Sequence, residues 1–210
     1  MFDCDGVLVD SEPIANRILV EMLNEAGFPI SLEQSHRELN GLSLASCWKL
    51  IERRFGRPVP AGFEARLQAR TFAALADAVE AVPGVGEAIA AIDVPICVAS
   101  SGEPEKMRIT LGRSGLLPLF DGRLFSALEV ARGKPHPDLF LHAAARMGVA
   151  PARAVVVEDA VPGVQGARAA GMKVFAYAAA PHANRAGLMA AGAILFDDMR
   201  ELPRLLGFAA

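Results

Sequence analysis

Four short apolar runs, each bounded by loop residues, recur from residue 94 onward: VPICVAS at 94–100, AVVVE at 154–158, KVFAY at 173–177 and AILFD at 193–197. Runs of this length without polar alternation predict strands buried on both faces. Between them, apolar positions return at helical spacing near 104–115, 137–148, 161–171 and 183–191. Strand and helix in alternation imply βαβ units, and so an α/β core with a doubly wound parallel sheet.

Residues from about 14 to 80 break this rhythm. They hold no strand candidate and show helical periodicity in IANRILVEMLNEAG, SLASCWKLIERRFG and FEARLQARTFAALADAV. VPGV at 82–85 marks the return to the sheet. The expected organisation is therefore a core of residues 1–12 and 83–210 with an inserted helical cap over 13–82, hinged near 11–13 and 82–84 so that the cap can open and close.

The remaining apolar run stands at the N-terminus, in FDCDGVLVDSE at 2–12. Only Met1 and Phe2 precede Asp3, fewer than a strand ordinarily needs, which leads us to expect a true start upstream of Met1. Side chains at i and i+2 of a strand share a side. Asp3 and Asp5 therefore point into one volume, and two carboxylates there call for a hard divalent cation such as Mg2+, with room left for a phosphate oxygen.

Ligands of open α/β sheets bind beyond the carboxyl ends of the strands. The run at 94–100 ends in Ser100, Ser101 and Gly102, with Pro104 starting a helix, an arrangement that serves either as a phosphate cradle or as a plain serine cap. RGKPHPDLF at 132–140 places Lys134 before two prolines, where its ammonium can be fixed as a point charge. Only four of the 21 basic residues are lysine. AVVVE delivers Glu158 and Asp159 at a strand end, a second acidic pair where metal ligands are wanted.

Composition narrows the classes. A chain of 210 residues that is 52% hydrophobic can bury a core, and a net charge of −3 gives no basic footprint for nucleic acid. No apolar stretch is long enough to span a bilayer. Cys4, Cys47 and Cys97 are odd in number and widely spaced, which suggests neither disulfides nor zinc and fits a cytoplasmic protein. Cys4 lies between the aspartates but faces the other side of the strand, as a packing residue. His36, His136, His142 and His182 show no metal-ligand spacing.

Together DCDGVLVD at 3–10, Ser100 in VASSG, Lys134 in GKPHPD, and Glu158 with Asp159 in VVVEDAVPGV resemble the four motifs of the haloacid dehalogenase superfamily, in its order and along essentially the whole chain. The resemblance implies a Rossmann-like core with a helical cap, and a Mg2+-dependent phosphomonoester hydrolase working through an aspartyl-phosphate. Asp3 would be the nucleophile and Asp5 the general acid and base. Mg2+ would be held by Asp3, the Asp5 carbonyl and Asp159, with Glu158 as a ligand or a support behind the ligands. Ser100 and Lys134 would bind the transferring phosphoryl group, with Ser101 and Gly102 beside them.

Within the superfamily, Asp5 argues against dehalogenation, which proceeds without it. Phosphonate cleavage needs a cap lysine, and the single lysine of the insert, Lys49, falls on the polar face of its helix. The phosphomutases carry an arginine after a Gly-x-Ser in the cap; here the sequence is GLSL, with Gly41 as a candidate substrate contact and Leu44 where the arginine would stand. That favours hydrolysis over the mutase alternative. A silent binding protein on the same fold is the rival of another class, and the presence of every motif residue speaks against it. FDCDGxLVDSE, the SG-xxx-KM stretch at 101–107 and KPxPxLFxHAA at 134–144 resemble the 6-phosphogluconate phosphatase subgroup, beside the β-phosphoglucomutase-like one. An anionic sugar phosphate would suit cap cations, with Arg66 and Arg70 as candidates, or else these are solvated or pair with Glu64 or Asp77. The expected partner is a small phosphate ester, bound by a monomer or weak dimer.

Overall fold

Five short parallel strands run from Val98 onward among the described residues of the computed structural model: β1 (Val98–Ser100), β2 (Leu124–Ser126), β3 (Val155–Glu158), β4 (Lys173–Tyr177) and β5 (Ile194–Phe196). The structure describes residues 1–39, 42, 44–181 and 183–208. By contacts the chain forms two compact units, Met1–Asp10 with Glu80–Ala210, and Ser11–Val79.

In the first unit, Phe2 joins the strand pair β2–β1 to the triplet β3–β4–β5 through parallel bridges to Val98 and Val157. Its amide donates to Cys97 O at 2.9 Å and its carbonyl accepts from Ala99 N at 2.8 Å. On the other edge Val157 N donates to Met1 O and Asp3 N to Val157 O, both at 2.9 Å. The order is thus β2, β1, the Phe2 segment, β3, β4, β5. The chain winds to one side of Phe2 through β1 and to the other through β3, so Asp3 emerges at a topological switch point.

Consecutive strand residues are buried, Val98, Ala99 and Ser100 among them, because helices cover both faces. One face packs Cys97, Ala99, Val156, Val174 and Ala176 against α7 (Asp138–Arg146), α8 (Val161–Ala169) and α9 (Arg185–Ala190), with Phe140 and Leu188 fully enclosed. Residues of the opposite parity, Phe2, Val157 and Phe175, are equally buried on the other side, where Phe2 meets the Phe120 ring edge-on at 6.2 Å.

Of the run predicted over 94–100, only Val98–Ser100 is strand, though Cys97 O still accepts from Phe2 N, and Pro95 has no N–H to donate. The helix predicted over 104–115, α6 (Pro104–Arg113), stops short of Gly115, which takes a positive φ. β2, with three residues and no apolar run of its own, was not foreseen, nor were α5 (Val85–Ala90) and α10 (Leu202–Leu206).

The second unit contains α1 (Glu12–Glu25), α2 (Leu32–Glu38), α3 (Leu44–Phe55) and α4 (Phe63–Ala78), and no strand among its described residues. Ile18, Leu23, Phe28, Ile51, Phe63 and Leu67 form its core. The short α2 escaped the periodicity, but its start has a local cause: Ser31 Oγ accepts from Gln34 N while Gln34 Oε1 accepts from Ser31 N. Arg57 closes the end of α1 by donating to Ala26 O and Gly27 O while stacking 4.1 Å over the Phe28 ring.

Phe140 is fully buried on α7, and its ring lies 5.4 Å beneath the Lys134 ammonium. Phe140→Ala is expected to cost about 3–5 kcal/mol of stability. Urea unfolding checks this, and a loss below about 1 kcal/mol would contradict the packing described.

Candidate active site

At the carboxyl end of the sheet the chain leaves the Phe2 segment at Asp3 and turns sharply. Gly6 makes the turn possible: its φ is +74°, and its N donates to Val9 O at 2.9 Å. The same glycine lets the backbone approach Asp159, because a Cβ there would fall 2.2 Å from Asp159 Oδ2.

Asp3, Glu158 and Asp159 come together here, each offering a carboxylate oxygen within 4.8 Å of the others. Lys134 reaches in from the loop before α7 and donates to Asp3 Oδ1 at 2.7 Å and Glu158 Oε1 at 2.6 Å. Its side chain is only 7% exposed. Burial alone would push the ammonium toward neutrality, but the Asp3 and Glu158 carboxylates overcome it and raise its pKa above the ordinary value. Lys134 is thus enclosed within the site, its ammonium fixed between two carboxylates.

Glu158 is fixed from two sides. Its Oε1 meets Lys134, and its Oε2 accepts from Asp159 N at 3.0 Å and Ala160 N at 3.1 Å, the backbone that leads into α8. Gly163 in the first turn of α8 leaves the space it fills: a Cβ there would lie 1.8 Å from Glu158 Oε1.

One lysine does not balance three clustered carboxylates. Burial pushes Asp3 up to about 6, with Glu158 adding and Lys134 opposing. Burial, then Glu158 and Asp3, hold Asp159 well above the usual carboxylate range. Crowded, partly desolvated oxygens of this kind are a donor set for a hard cation, and that chemistry fits Mg2+.

Ser100, at the end of β1, is buried and accepts from Gly102 N at 3.1 Å. A Cβ on Gly102 would lie 3.4 Å from Ser100 Oγ and 3.7 Å from Asp5 Oδ2, so Ser100, Gly102 and Asp5 share one corner of the site. Ser101 is exposed beside them. Two contributors went unnoticed in the sequence. Ser126 on β2 donates to Gly102 O at 2.7 Å and braces this turn, and Lys106 on α6 donates to Asp5 Oδ2 at 2.8 Å. Ser126 gave no signal because its strand gave none; Lys106 stood in the SG-xxx-KM stretch without a role.

Cys4 is buried with its Sγ 3.8 Å from Thr110 Oγ1, and burial pushes its thiol pKa up, as a packing residue requires. All three cysteines are free. His36 and His136 are exposed and His142 meets Glu129 at 3.2 Å, while His182 lies outside the described residues. So does Gly41. In the helical unit Arg70 is held by Glu21 at 2.9 Å and Glu25 at 2.7 Å, and Arg66 donates to Ala61 O at 3.1 Å. Lys49 is exposed on α3.

Residues 1–171 match the family described as haloacid dehalogenase-like hydrolase, and the chain belongs to that family, as an enzyme of its phosphatase type. It is 36% identical over 182 residues to the 6-phosphogluconate phosphatase of Escherichia coli (strain K12), covering 86% of this chain and 82% of that protein. Among solved structures, a conserved haloacid dehalogenase-like protein of unknown function from Agrobacterium tumefaciens str. C58 superposes with a TM-score of 0.88 at 37% identity, over 98% of this chain and 95% of that one. A family hydrolase from Deinococcus radiodurans R1, solved with bound phosphate and sodium, gives 0.83 at 31% identity, over 98% and 93%. No helix among the described residues is long and apolar enough to cross a membrane.

Gly163→Ala forces the Glu158 carboxylate out of its place. It is expected to destabilise the fold by about 1–3 kcal/mol, the usual cost of overpacking, and denaturant titration reads this directly.

Proposed function

We propose that this protein is a Mg2+-dependent phosphomonoester hydrolase acting through an aspartyl-phosphate on a phosphorylated sugar or sugar acid, with 6-phosphogluconate as the first candidate. The observation that carries the reading is the cluster of Asp3, Glu158 and Asp159 around Lys134 at the switch point. The likeness to the Escherichia coli enzyme points to the substrate class.

Asp3 is the nucleophile. One of its oxygens forms a bond to phosphorus as the ester P–O bond breaks, and Asp5 gives its proton to the departing alkoxide. Water then attacks the aspartyl-phosphate, Asp5 takes a proton from it, and inorganic phosphate leaves with Asp3 restored. Asp3 keeps its place through the ladder bond from its own amide and through Lys134, so nucleophile and cation are positioned before substrate arrives. Charge on the transferring oxygens is met by Lys134, the Ser100 hydroxyl, which the Gly102 N–H orients, and the Ser101 N–H. Mg2+ would be held by Asp3, Asp159 and the Asp5 carbonyl, with Glu158 anchoring Lys134, and when bound it neutralises phosphate and carboxylate charge together.

Phosphate release is measured with and without Mg2+ on 6-phosphogluconate, other sugar phosphates, phosphoglycolate and an aryl phosphate. Turnover is expected only with the ion and highest on a sugar or sugar-acid phosphate. Asp3→Asn should lower kcat on the order of 10^4-fold or more. No turnover on any ester would refute the reading.

Mg2+ should also stabilise the fold, by about 2.7 kcal/mol at roughly a hundred times its Kd. Asp3 titrates near 6 without the ion, above its unfolded value of 3.8, so the metal-free fold loses stability as pH rises from about 4 through 6. The ion needs the ionised carboxylate, so the Mg2+-induced rise in Tm grows over that same window. A rise as large at pH 4.5 as at pH 7.5 would contradict this.

A further inference from the structure

Lys106 sits in the first turn of α6, two residues after Pro104. This is a poor place for a cation, because the N-terminus of a helix carries the positive end of its dipole. The side chain is nonetheless only 22% exposed, and its ammonium lies 2.8 Å from Asp5 Oδ2. The helix beneath it is tied to the same segment. Thr110, one turn further on, is fully buried, donates to Lys106 O at 3.0 Å and touches Cys4 Sγ at 3.8 Å. One face of α6 therefore tracks the backbone from Cys4 to Asp5, with Thr110 against the first and Lys106 against the second.

The two aspartates of the loop are thus held differently. Asp3 is buried and ladder-bonded, and it shares Lys134 with Glu158. Asp5 has left the central sheet, pairs with Val9 across the Gly6 turn, and keeps its side chain one-third exposed. An ion pair to a part-exposed carboxylate restricts its rotamers before the reaction.

We propose that Lys106 is the positioning residue for Asp5: it aims the Asp5 carboxylate at the corner shared with Ser100 and Gly102, where the leaving oxygen must be protonated. The inference rests on the phosphatase reading and on Asp5 as its acid and base. Lys106 acts through Asp5 and not as a separate grip on the phosphoryl group, which falls to Lys134.

The test uses esters that differ in how much they need an acid. An alkyl phosphate leaves poorly without a proton, whereas p-nitrophenyl phosphate leaves almost unaided. In Lys106→Met, kcat/KM for the alkyl ester should fall about 10- to 100-fold, within the reach of general acid catalysis, and for the aryl ester by less than about 5-fold. Lys106→Arg should recover most of the loss. In an Asp5→Asn background, Lys106→Met should add nothing, as a residue acting through Asp5 requires. Equal losses on both esters in a variant with wild-type Tm, or a loss that persists in the Asp5→Asn background, would overturn the role. A wild-type protein active on neither ester would instead overturn the phosphatase reading, and Asp5 as its acid with it.

Discussion

An ammonium enclosed between two carboxylates from neighbouring parallel segments fixes the working end of this molecule. Asp3 comes from the Phe2 segment and Glu158 from β3, and Lys134 binds both while standing on a Phe140 ring that belongs to the core. Removing a partner from such a set leaves a buried charge uncompensated, which is far costlier than the net worth of the pair. The set therefore ties the loop before α7, the switch point and the start of α8 to one geometry. Backbone amides of Asp159 and Ala160 and the space at Gly163 complete the hold on Glu158.

The same cluster carries an excess of negative charge. A fold built for stability alone would place apolar side chains there; this one holds Asp3 and Asp159 at raised pKa against burial and mutual repulsion. Such cost concentrated at one sheet edge belongs to function. Ser100 and Gly102, braced by Ser126 from β2, add uncharged polar groups beside Asp5, which bring no further charge to the cluster.

Much of this was legible in the chain. Buried parallel strands announce themselves as apolar runs, and β3 and β4 fell within one residue of their expected limits. Asp3, Lys134, Glu158 and Asp159 were each placed by a strand end or a rigid loop. What escaped has physical reasons. β2 is three residues long and owes its existence to β1 beside it. α2 is too short for a period, though its Ser31–Gln34 capping box was written in the residues. The pairing of Lys106 with Asp5 spans 101 residues of sequence, and no local pattern announces a contact of that range. Arg70 shared a helical face with Arg66 as its spacing implied, but its partners come from α1 and could not be read from α4 alone.

The Phe2 segment is bonded on both of its edges, and the amide of Asp3 itself closes onto Val157. Local opening in proteins draws on frayed ends and exposed loops, whereas a central segment opens only with the whole fold. The Asp3 amide is therefore among the last to exchange its hydrogen with solvent, while Asp5, two residues later, has left the central sheet and pairs with Val9 across the Gly6 turn. Within three residues the chain passes from the middle of the sheet to a tight, bonded turn that leaves the Asp5 side chain one-third exposed, so one carboxylate of the site is carried by the sheet and the other by the turn.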